Sequence, residues 1–518
     1  MTKKTASPNV AGSPVTACGA YPTGGKHTAI ATVAIACLLL GLTAAPRALT
    51  VTIDAGTQHQ TIEAFGACED RMTKWRVKQG PFYTDVPYDG QWDTIAGDLG
   101  MTAIRMLIDD DFDQIPAQTV EHVTQLHARG IDLFWSSILS PPAYMKDNGS
   151  LTFGGELLPE YYDDFAAMVV SYCNNFKTQT GVDLWGISLQ NELMFVEPYA
   201  SCIYTPTTYK AVVEVVVPAM RAAGLSTKLL GAEHMLWGFP QYEQPLMNDP
   251  ATDDYIDRFI LHSYLHDVNP IPADQAVQDW QTAAAYAAQQ GKGLWMTETS
   301  GYDTTWSGGL ELASYMYVTL KHGKASGWIY LGISSFNGTE NCLLRPYGYS
   351  PLGVVSKHYY RFIRPGMVML ECTDAPGSSL FAVAFRNQAQ DQYTVVLLNT
   401  AASAQEVTIG GGGLPASLDV YQSTESMQCK LIGTSSGSVS CPARSITTLT
   451  TGTHVGNRDQ THRSARAVRP AARRPVSRLY SLDGRLAGGK GAATSLPSGV
   501  YVSVPAVGTA TGRRVVTR

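Results

Sequence analysis

The sequence has few charged residues and few cysteines, and it lacks the motifs of zinc-binding and nucleotide-binding proteins. Charged residues make up 16% of the 518 positions and hydrophobic residues 44%, which is typical of a folded globular chain. The nine cysteines include neither a CxxC pair nor a cluster with histidine at the spacing of zinc ligands, so we expect no metal site. No glycine-rich phosphate loop follows the first predicted strand, and we expect no cofactor.

Long apolar runs are also scarce, with one example near the N-terminus. Residues 29–45 (AIATVAIACLLLGLTAA) contain no charge, and three lysines precede them. This pattern predicts a secretory signal peptide, residues 1–48, that is cleaved within Ala45–Ala48. A single membrane anchor is the alternative, because seventeen apolar residues are just long enough to span a bilayer. After cleavage we expect no stable membrane span.

Cleavage would remove Cys18 and Cys37 and leave seven cysteines, so at least one is unpaired or pairs between chains. Cys429 and Cys441 flank a short segment rich in glycine and serine. In an oxidising compartment, this spacing predicts a disulfide between them.

Basic residues are few except at the C-terminal end. Residues 458–518 contain eleven Arg, one Lys and two Asp, a net charge of +10. Because the whole chain has a net charge of −6, the remaining residues carry −16. An acidic body does not suit nucleic acid, whose phosphates require a basic face. We therefore expect no nucleic-acid partner.

Short apolar segments alternate with longer amphipathic ones over about 270 residues. Eight such strands alternating with helices predict a (β/α)8 TIM barrel, residues 62–364. A doubly wound open sheet is the alternative. The predicted strands are Thr61–Ala67, Thr102–Ile108, Ile131–Leu139, Asp183–Glu192, Lys228–Met235, Arg258–Leu265, Gly293–Ser300 and Ser326–Ile333.

The pattern changes after the barrel. Residues 365–451 contain short strand-like segments separated by Gly, Ser and Asn turns, which predicts an antiparallel β-sandwich side domain. Residues 452–475 are rich in Arg, Ala, Thr and Pro without periodicity and are predicted to be a linker. Residues 476–518 form a further small β unit.

Two carboxylates stand at the ends of predicted strands. Glu192 ends the fourth strand and Glu298 the seventh, and active sites of this fold lie at the carboxyl ends of the strands. Retaining hydrolysis of a glycoside requires one carboxyl group to protonate the leaving oxygen and a second, about 5–5.5 Å away, to attack the anomeric carbon. Each glutamate alone could cap the following helix, but the pair favours catalysis.

These residues, together with motifs elsewhere, resemble the clan A glycoside hydrolases and more specifically glycoside hydrolase family 30. The resemblance extends from about Val51 to Thr451 through QHQTIEAFGA, SPPAYMKDNGSL, QNE, YASCIYTP, LHSY, WMTE and RFIRPG. It implies a TIM barrel whose β side domain combines an N-terminal strand, here residues 49–61, with the segment after the barrel.

The resemblance also assigns roles to residues. It implies that Glu192 is the acid/base and Glu298 the nucleophile of a retaining double displacement. Arg105, which ends the second predicted strand, is expected to donate to Glu298, with a salt bridge at the barrel mouth as the alternative. Tyr264 is a second expected donor to Glu298, and Asn191 is expected to donate to the sugar 2-hydroxyl.

Other candidates have two readings each. His262 either lines the cleft or is structural, and Glu233 either binds a substrate hydroxyl or makes a structural hydrogen bond. Because sugar rings stack on aromatic faces, aromatic residues at or after strand ends are candidate substrate contacts. They are Trp135, Tyr144, Trp237, Trp306 and Trp328, of which Trp328 is the first choice.

One residue departs from the family's pattern. Leu193 follows Glu192 at a position where the family usually has proline. Proline would fix the backbone just past the acid/base, and leucine leaves it freer. We expect this change to alter the loop on the leaving-group side, and hence the substrate, without affecting the catalytic pair.

The C-terminal segment has a resemblance of its own. RLYSLDGRLAGG, LPSGVYVSV and GRRVVTR resemble the sorting domain that the type IX secretion system recognises. This implies that residues 476–518 engage the secretion machinery and that the protein is secreted or displayed at the cell surface.

The sequence therefore predicts a secreted, monomeric, retaining glycosidase that cleaves a polysaccharide of the xylan, β-1,6-glucan or galactan type. One alternative is an exo-acting, glucosylceramidase-like enzyme on small glycosides or glycolipids. Another is a non-hydrolytic cell-surface carbohydrate-binding protein, against which the intact glutamate pair argues. The sugar and its linkage depend on loop side chains, and they stay open.

Overall fold

The computed structural model describes residues 48–69, 74–79, 82–87, 91–109, 112–265, 270–334, 341–345, 348–375, 378–411, 413–452, 478–481, 486–488, 500–504 and 514–517. The predicted signal peptide, residues 1–48, and the predicted linker, residues 452–475, lie outside this part of the chain except for one residue each. Within the described part, no helix is both long and apolar enough to cross a membrane.

Eight parallel strands form the central sheet, and each overlaps a predicted segment. They are β1 (Ala64–Glu69), β2 (Ala103–Ile108), β3 (Leu133–Ile138), β4 (Gly186–Ser188), β5 (Lys228–Leu230), β6 (Ile256–His262), β7 (Gly293–Glu298) and β8 (Gly327–Tyr330). Each strand pairs with the next, and β8 pairs with β1 to close the sheet. The closed sheet confirms the predicted TIM barrel and excludes the open-sheet alternative.

The strands are buried on both faces, as expected for a parallel barrel covered by helices. Every residue of β1, β4 and β8 is buried. Gly327 leaves room for the indole of Trp295 inside the barrel, because a Cβ atom at residue 327 would lie 2.3 Å from Trp295 Cδ2. The apolar residues that fill the interior are Ala64, Ala103, Trp135, Leu230, Ile260, Trp295 and Ile329.

A helical segment follows each barrel strand, and the helices cover the outside of the sheet. Thr205 caps the fourth of them by accepting a hydrogen bond from the Thr208 N–H (3.1 Å). The helices are α1 (Gln91–Asp93, continued by the π-helix Thr94–Leu99), α2 (Ala117–His127), α3 (Tyr162–Thr180), α4 (Pro206–Ala222), α5 (Gln244–Met247), α6 (Ala273–Gln289), α7 (Trp306–Lys321) and α8 (Pro351–Tyr360).

A second, nine-stranded sheet forms the side domain. Leu49–Thr61 lies within this sheet, where it pairs antiparallel with Val368–Cys372 and parallel with Gln405–Gly411. The N-terminal strand thus belongs to the domain formed after the barrel. The remaining strands are Leu380–Asn387, Gln392–Asn399, Leu418–Thr424, Met427–Ser435, Ser438–Cys441 and Ser445–Thr450.

The predicted disulfide between Cys429 and Cys441 is wrong. Cys429 lies on Met427–Ser435 and Cys441 on Ser438–Cys441, and these strands stand at opposite ends of the sheet order. Both thiols are free. Although the two cysteines are close in sequence, each strand pairs with a different neighbour, and this separates them.

Several short elements complete the described chain. The C-terminal strands form a four-stranded antiparallel sheet, in agreement with a small β unit after the linker. These strands are Arg478–Ser481, Leu486–Gly488, Val500–Val504 and Arg514–Thr517. Further strands are Lys74–Gln79, Phe82–Pro87, His234–Met235, Leu344–Arg345 and Gly348–Tyr349, and short 3₁₀ turns are Ala143–Met145, Pro159–Tyr161, Leu236–Gly238 and Gln388–Gln390.

Candidate active site

The two candidate catalytic carboxylates meet at the carboxyl ends of the barrel strands. Glu298 is the last residue of β7, and Glu192 follows β4. Both are nearly buried, with 9% and 8% of their surface exposed. A carboxylate oxygen of Glu192 lies within 4.8 Å of one of Glu298. This proximity agrees with the short separation of the two carboxyl groups in a retaining glycosidase.

The backbone at Glu192 has an unusual conformation. Its φ is +50°, in the left-handed region that side chains other than glycine rarely adopt. The Glu192 N–H donates to the Glu233 carbonyl oxygen (2.7 Å), and the Asn191 N–H donates to that of Ile138 (2.7 Å). Bonds to both neighbouring strands therefore hold this conformation, which is typical of functional sites.

Arg105 is buried under the site and forms ion pairs with two of its glutamates, Glu233 and Glu298. It is fully buried within β2, three residues before the strand ends and not at its end as predicted, and its Nε donates to Ser137 Oγ (3.0 Å). Its Nη1 pairs with Glu298, and its Nη2 contacts Asn191 Oδ1 (2.6 Å) and Glu233 Oε1 (2.9 Å). Burial alone would lower the pKa of Arg105, but Glu233 and Glu298 raise it above its ordinary value. A permanent positive charge thus lies beside Glu298.

Tyr264 provides the second hydrogen-bond donor to Glu298. Its hydroxyl lies 3.0 Å from Glu298 Oε1 and 3.2 Å from Ser300 Oγ. Burial, and next the charge of Glu298, raises the pKa of Tyr264 well above its ordinary value, so the hydroxyl keeps its proton. With Arg105 on Oε2 and Tyr264 on Oε1, both oxygens of Glu298 have donors, which orient the carboxylate.

His262 contacts all three carboxyl groups of the site. Its Nδ1 lies 2.8 Å from Glu192 Oε1, and its Nε2 lies 3.1 Å from Glu233 Oε1 and 3.9 Å from Glu298 Oε2. Burial lowers the pKa of His262, but the three glutamates outweigh it and raise the pKa to about 10. At neutral pH the imidazole is therefore protonated, and both of its nitrogens donate.

Glu233 does not bind a substrate hydroxyl, since its side chain is fully buried. It lies between Arg105 and His262 beneath the catalytic pair. Burial raises the pKa of Glu233, but the two cations outweigh that effect and lower it to about 2. The structural reading is the correct one, and Glu233 is an ionised carboxylate in the floor of the site.

Glu192, His262 and Glu298 each place an atom of the type that binds metals within 4.8 Å of the others. In the arrangement shown, both nitrogens of His262 are engaged by carboxylates, Nδ1 by Glu192 and Nε2 by Glu233. Arg105 adds a second positive charge beside Glu298.

Three tryptophans predicted to stack on sugars do not face the cleft. Trp328 and Trp135 are fully buried, so the choice of Trp328 as the first stacking candidate is wrong. The Trp328 Nε1 donates to Thr319 Oγ1 of α7 (2.9 Å), and the Trp135 ring fills the barrel interior beneath Arg105. Trp306 is also buried, with its Nε1 donating to the Arg444 carbonyl oxygen (2.7 Å).

Other aromatic residues are exposed near the site. Tyr144 and Trp237 remain open to solvent, on the loops after β3 and β5. The sequence reasoning did not single out Tyr199, whose pKa is raised by burial and then by the charges of Glu192, Glu197 and Glu298. The segment YASCIYTP was visible as a motif, but a tyrosine in a loop has no periodicity that marks it as a site residue.

Comparisons with known proteins agree with this geometry. The model of the glycosyl hydrolase family 30 TIM-barrel domain matches residues 89–340, and that of the family 30 β-sandwich domain matches residues 368–449. Together the two models match well over half of the chain.

Individual relatives are distant but cover most of the chain. Glucuronoxylanase XynC of Bacillus subtilis (strain 168) is 23% identical over 432 residues, which are 79% of this chain and 93% of the relative. The family 30 subfamily 8 xylanase Xyn30A of Clostridium acetobutylicum has a TM-score of 0.65 and 21% identity, covering 77% of this chain and 99% of that one. An endo-β-1,6-glucanase has a TM-score of 0.59 and 19% identity, covering 77% and 93%. The chain belongs to glycosyl hydrolase family 30 and is a retaining O-glycosyl hydrolase.

Proposed function

We propose that the protein is an exported enzyme that hydrolyses β-glycosidic bonds of a polysaccharide, with Glu298 as nucleophile and Glu192 as acid/base. The observation that carries this assignment is the unequal surroundings of the two carboxylates. Glu298 has Arg105 and Tyr264 on its two oxygens, which suits a group that must stay ionised. Among the described residues, the Glu192 side chain has one partner, His262, so fewer donors hold Glu192 ionised than hold Glu298, which suits a group that gains and loses a proton.

In the first step, Glu192 gives its proton to the leaving oxygen while a Glu298 oxygen attacks the anomeric carbon. The glycosidic bond breaks, the leaving sugar departs with the proton, and a glycosyl ester forms on Glu298. In the second step, Glu192 takes a proton from water, whose oxygen attacks the same carbon and releases Glu298. Two displacements at one carbon retain its configuration.

Asn191 is positioned to bind the reacting sugar. Its Oδ1 accepts a hydrogen bond from Arg105 (2.6 Å), so the side-chain amide presents its NH₂ group as the remaining donor. A donor next to both carboxylates suits the 2-hydroxyl, an interaction that strengthens in the transition state.

Glu298→Gln tests the nucleophile. The amide cannot form the glycosyl ester, so we expect hydrolysis of an aryl β-glycoside to fall by at least about a thousandfold. Binding of polysaccharide, measured by affinity electrophoresis, should persist. Glu214→Gln on the surface of α4 is the matched control and should keep full activity. A Glu298→Gln enzyme that stays active would show that another residue attacks the anomeric carbon.

Glu192→Ala tests the acid/base. Without a proton donor, we expect hydrolysis to slow by about a hundredfold or more on a poor leaving group such as an alkoxide. A good leaving group such as dinitrophenolate needs no proton and should still leave, so a glycosyl-enzyme should accumulate and give a burst. Equal losses on both leaving groups would contradict the assignment.

The choice of substrate is part of the proposal. Relatives are named as a glucuronoxylanase, a xylanase and an endo-β-1,6-glucanase, which favours a polysaccharide over a glycolipid. A panel of xylan, β-1,6-glucan and β-galactan, with product lengths measured during the reaction, distinguishes the substrates. Monosaccharide as the sole early product would instead favour the exo-acting alternative. A purely binding protein does not agree with membership of this enzyme family.

Export is supported by the sequence at both ends. The apolar run with its preceding lysines favours a signal peptide, and the basic strands after residue 476 favour a sorting domain that engages the secretion machinery. Deletion of residues 476–518 should leave the enzyme inside the outer membrane. Cell fractionation with activity staining checks this, and unchanged secretion would contradict the sorting role.

A further inference from the structure

A group of exposed apolar side chains borders Glu192 at the barrel mouth. It consists of Phe153, Val196, Tyr199 and Trp237, and we call it the apolar rim. These residues are 65%, 60%, 48% and 50% exposed. Large apolar side chains in water are unfavourable, and a cluster of them on neighbouring loops typically marks a contact surface.

The loops after β3 and β4, which carry most of the rim, are fixed to each other. The Phe153 N–H donates to the Glu197 carbonyl oxygen (2.8 Å), and the Ser201 N–H donates to that of Leu151 (3.0 Å). Beneath them, the buried Lys146 Nζ donates to the Ser201 carbonyl oxygen (2.6 Å). The two loops therefore present their apolar side chains as one surface.

Phe153 itself has an uncommon backbone conformation. Its φ is +61°, in the left-handed region that is strained for a bulky residue. Its side chain gains little from packing, since it is the most exposed residue of the rim. Strain at an exposed aromatic residue needs a compensating role, and such positions concentrate at binding sites.

The rim is continuous with the reacting groups. Tyr199 lies on the loop that follows Glu192, and although the residue as a whole is half exposed, partial burial and then the charges of Glu192, Glu197 and Glu298 raise the pKa of its hydroxyl. The Trp237 ring packs edge-on against that of Phe195 (6.3 Å), whose N–H donates to the Glu192 carbonyl oxygen (3.0 Å). The apolar surface thus starts at Glu192 and extends outward.

Glu192 has His262 as its side-chain partner, and the other polar groups of the site surround Glu298. Arg105 and Tyr264 contact Glu298, and Asn191 lies with them. These donors suit the sugar whose anomeric carbon reacts. These donors do not explain how the enzyme would bind the sugars on the leaving-group side of the scissile bond. Those sugars require a separate binding surface next to the proton donor, Glu192.

We propose that the apolar rim binds the sugar units on the leaving-group side of the scissile bond, so that the enzyme cleaves inside a polysaccharide chain. The proposal rests on the function proposed above, because the leaving oxygen lies beside the acid/base, Glu192. The ligand is a run of pyranose rings, whose C–H faces are apolar and stack on aromatic rings such as Phe153 and Trp237. Stacking requires no particular hydroxyl pattern, so the rim holds the leaving chain while other groups select the reacting sugar.

The variants Phe153→Ala and Trp237→Ala test the rim. The probes are the polysaccharide cleaved fastest in the panel and the β-fluoride of the disaccharide released from it, whose leaving group carries no ring. We expect kcat/KM on the polysaccharide to fall about tenfold for each variant, the size expected for one lost stacked ring, mostly through KM. On the fluoride, kcat/KM should stay within about twofold.

Leu431→Ala and Ile432→Ala are the matched controls, because these residues are equally exposed on the side domain. They should leave both rates unchanged. Equal losses on polysaccharide and fluoride would place the rim on the reacting sugar and overturn the proposal, as would unchanged rates on both. If the unmodified enzyme hydrolysed neither probe, the proposed function itself would fail, and the rim proposal with it.

Discussion

At the scale of single residues, the charges around Glu192 and Glu298 suit both steps of the proposed reaction. Arg105 and protonated His262 carry two positive charges, and ionised Glu233 carries one negative charge. The proposed nucleophile, Glu298, contributes a second negative charge in the resting enzyme. With a proton on Glu192 this cluster is neutral. When the sugar is bonded to Glu298 and Glu192 has lost its proton, the cluster is neutral again. The proton and the sugar are exchanged at constant charge, which avoids a buried net charge in either state.

Glu233→Gln should disturb this balance without touching substrate. Removing the charge of Glu233 takes away one of the groups that raise the pKa of His262 to about 10, so His262 loses its proton at lower pH. We therefore expect the alkaline limb of kcat/KM on an aryl β-glycoside to shift down by at least about one pH unit. The ¹⁵N NMR shift of the His262 ring should move with it.

The control for this prediction is Glu243→Gln, which changes a second buried glutamate paired with a histidine, His234 (3.0 Å), outside the carboxylate cluster. It should lower stability and leave the pH limb in place. If Glu233→Gln behaved like this control, Glu233 would have only a structural role.

The sequence predicted those site residues that can be found from their position relative to the barrel strands. Glu298 ends β7, and Glu192 and Tyr264 follow β4 and β6, so in a closed parallel barrel they meet at one mouth, whereas Arg105 reaches them from within β2. It failed for Trp328, because barrel strands are buried on both faces and the strand pattern does not show which aromatic residues emerge.

Leu193 illustrates the same limit at the next position. Its side chain is fully buried in the main core, and its carbonyl oxygen accepts a hydrogen bond from the Tyr204 N–H (2.9 Å). The leucine therefore anchors the start of the loop that carries Val196 and Tyr199. The sequence predicted that a leucine in place of the usual proline would alter this loop, but it did not show that the side chain would be buried in the core.

At the scale of elements, the eight predicted strands were found because each is a short apolar run between amphipathic segments. The fifth departs from the prediction, since β5 ends at Leu230 and the strand resumes only at His234. Between them, Glu233 bridges to Asn191 of the neighbouring strand, and the Gly231 N–H donates to the Arg258 carbonyl oxygen (2.8 Å). The pattern of apolar residues does not reveal this interruption of the strand. The interruption places Glu233 in the site.

Lys146→Met should weaken the loops that carry the apolar rim. Lys146 Nζ donates to Ser140 Oγ (3.0 Å) and to the carbonyl oxygens of Ser201 (2.6 Å) and Leu151 (3.3 Å). Methionine fills the same space but leaves these acceptors unpaired, which costs about 1–3 kcal/mol of unfolding free energy. Urea unfolding measures this cost, and kcat/KM on polysaccharide should fall as the loops separate.

The control for Lys146→Met is Lys177→Met. Lys177 lies near the end of α3, and its ammonium group pairs with Asp183 at the surface. Exposed ion pairs contribute little, so this variant should change the unfolding free energy by less than about 1 kcal/mol. Equal effects of the two substitutions would show that the buried hydrogen bonds of Lys146 do not hold the loops.

At the scale of the whole molecule, the barrel and the side domain are joined by buried polar contacts that the sequence did not predict. His358 of α8 is fully buried, with Nδ1 2.8 Å from Thr448 Oγ1 and Nε2 2.7 Å from Ser423 Oγ. Both hydroxyls belong to strands of the side domain. The change in sequence pattern predicted a domain boundary at about residue 365. Nothing in the sequence indicates that His358 contacts Thr448 and Ser423, because all three lie in regular helices and strands.

His358→Gln should make stability less dependent on acid. Burial, and next the charge of Lys357, lowers the pKa of His358 to about 3, far below the unfolded value of about 6.5. Between these pH values the unfolded chain binds a proton that the folded protein does not, so the folded state loses stability as pH falls from about 6.5 towards 3. Glutamine lacks this titration, so its curve of unfolding free energy against pH should be flatter in that window.

At pH 7 the same variant should be less stable by about 1–3 kcal/mol, because one hydroxyl loses its partner. Urea unfolding at several pH values between 4 and 7 measures both effects. The exposed His127 of α2 gives the control, since His127→Gln should leave the curve parallel to that of the unmodified protein. Parallel curves for His358→Gln as well would mean that His358 has the same pKa in the folded and the unfolded chain, and that the fold accepts a buried positive charge between two hydroxyls as pH falls.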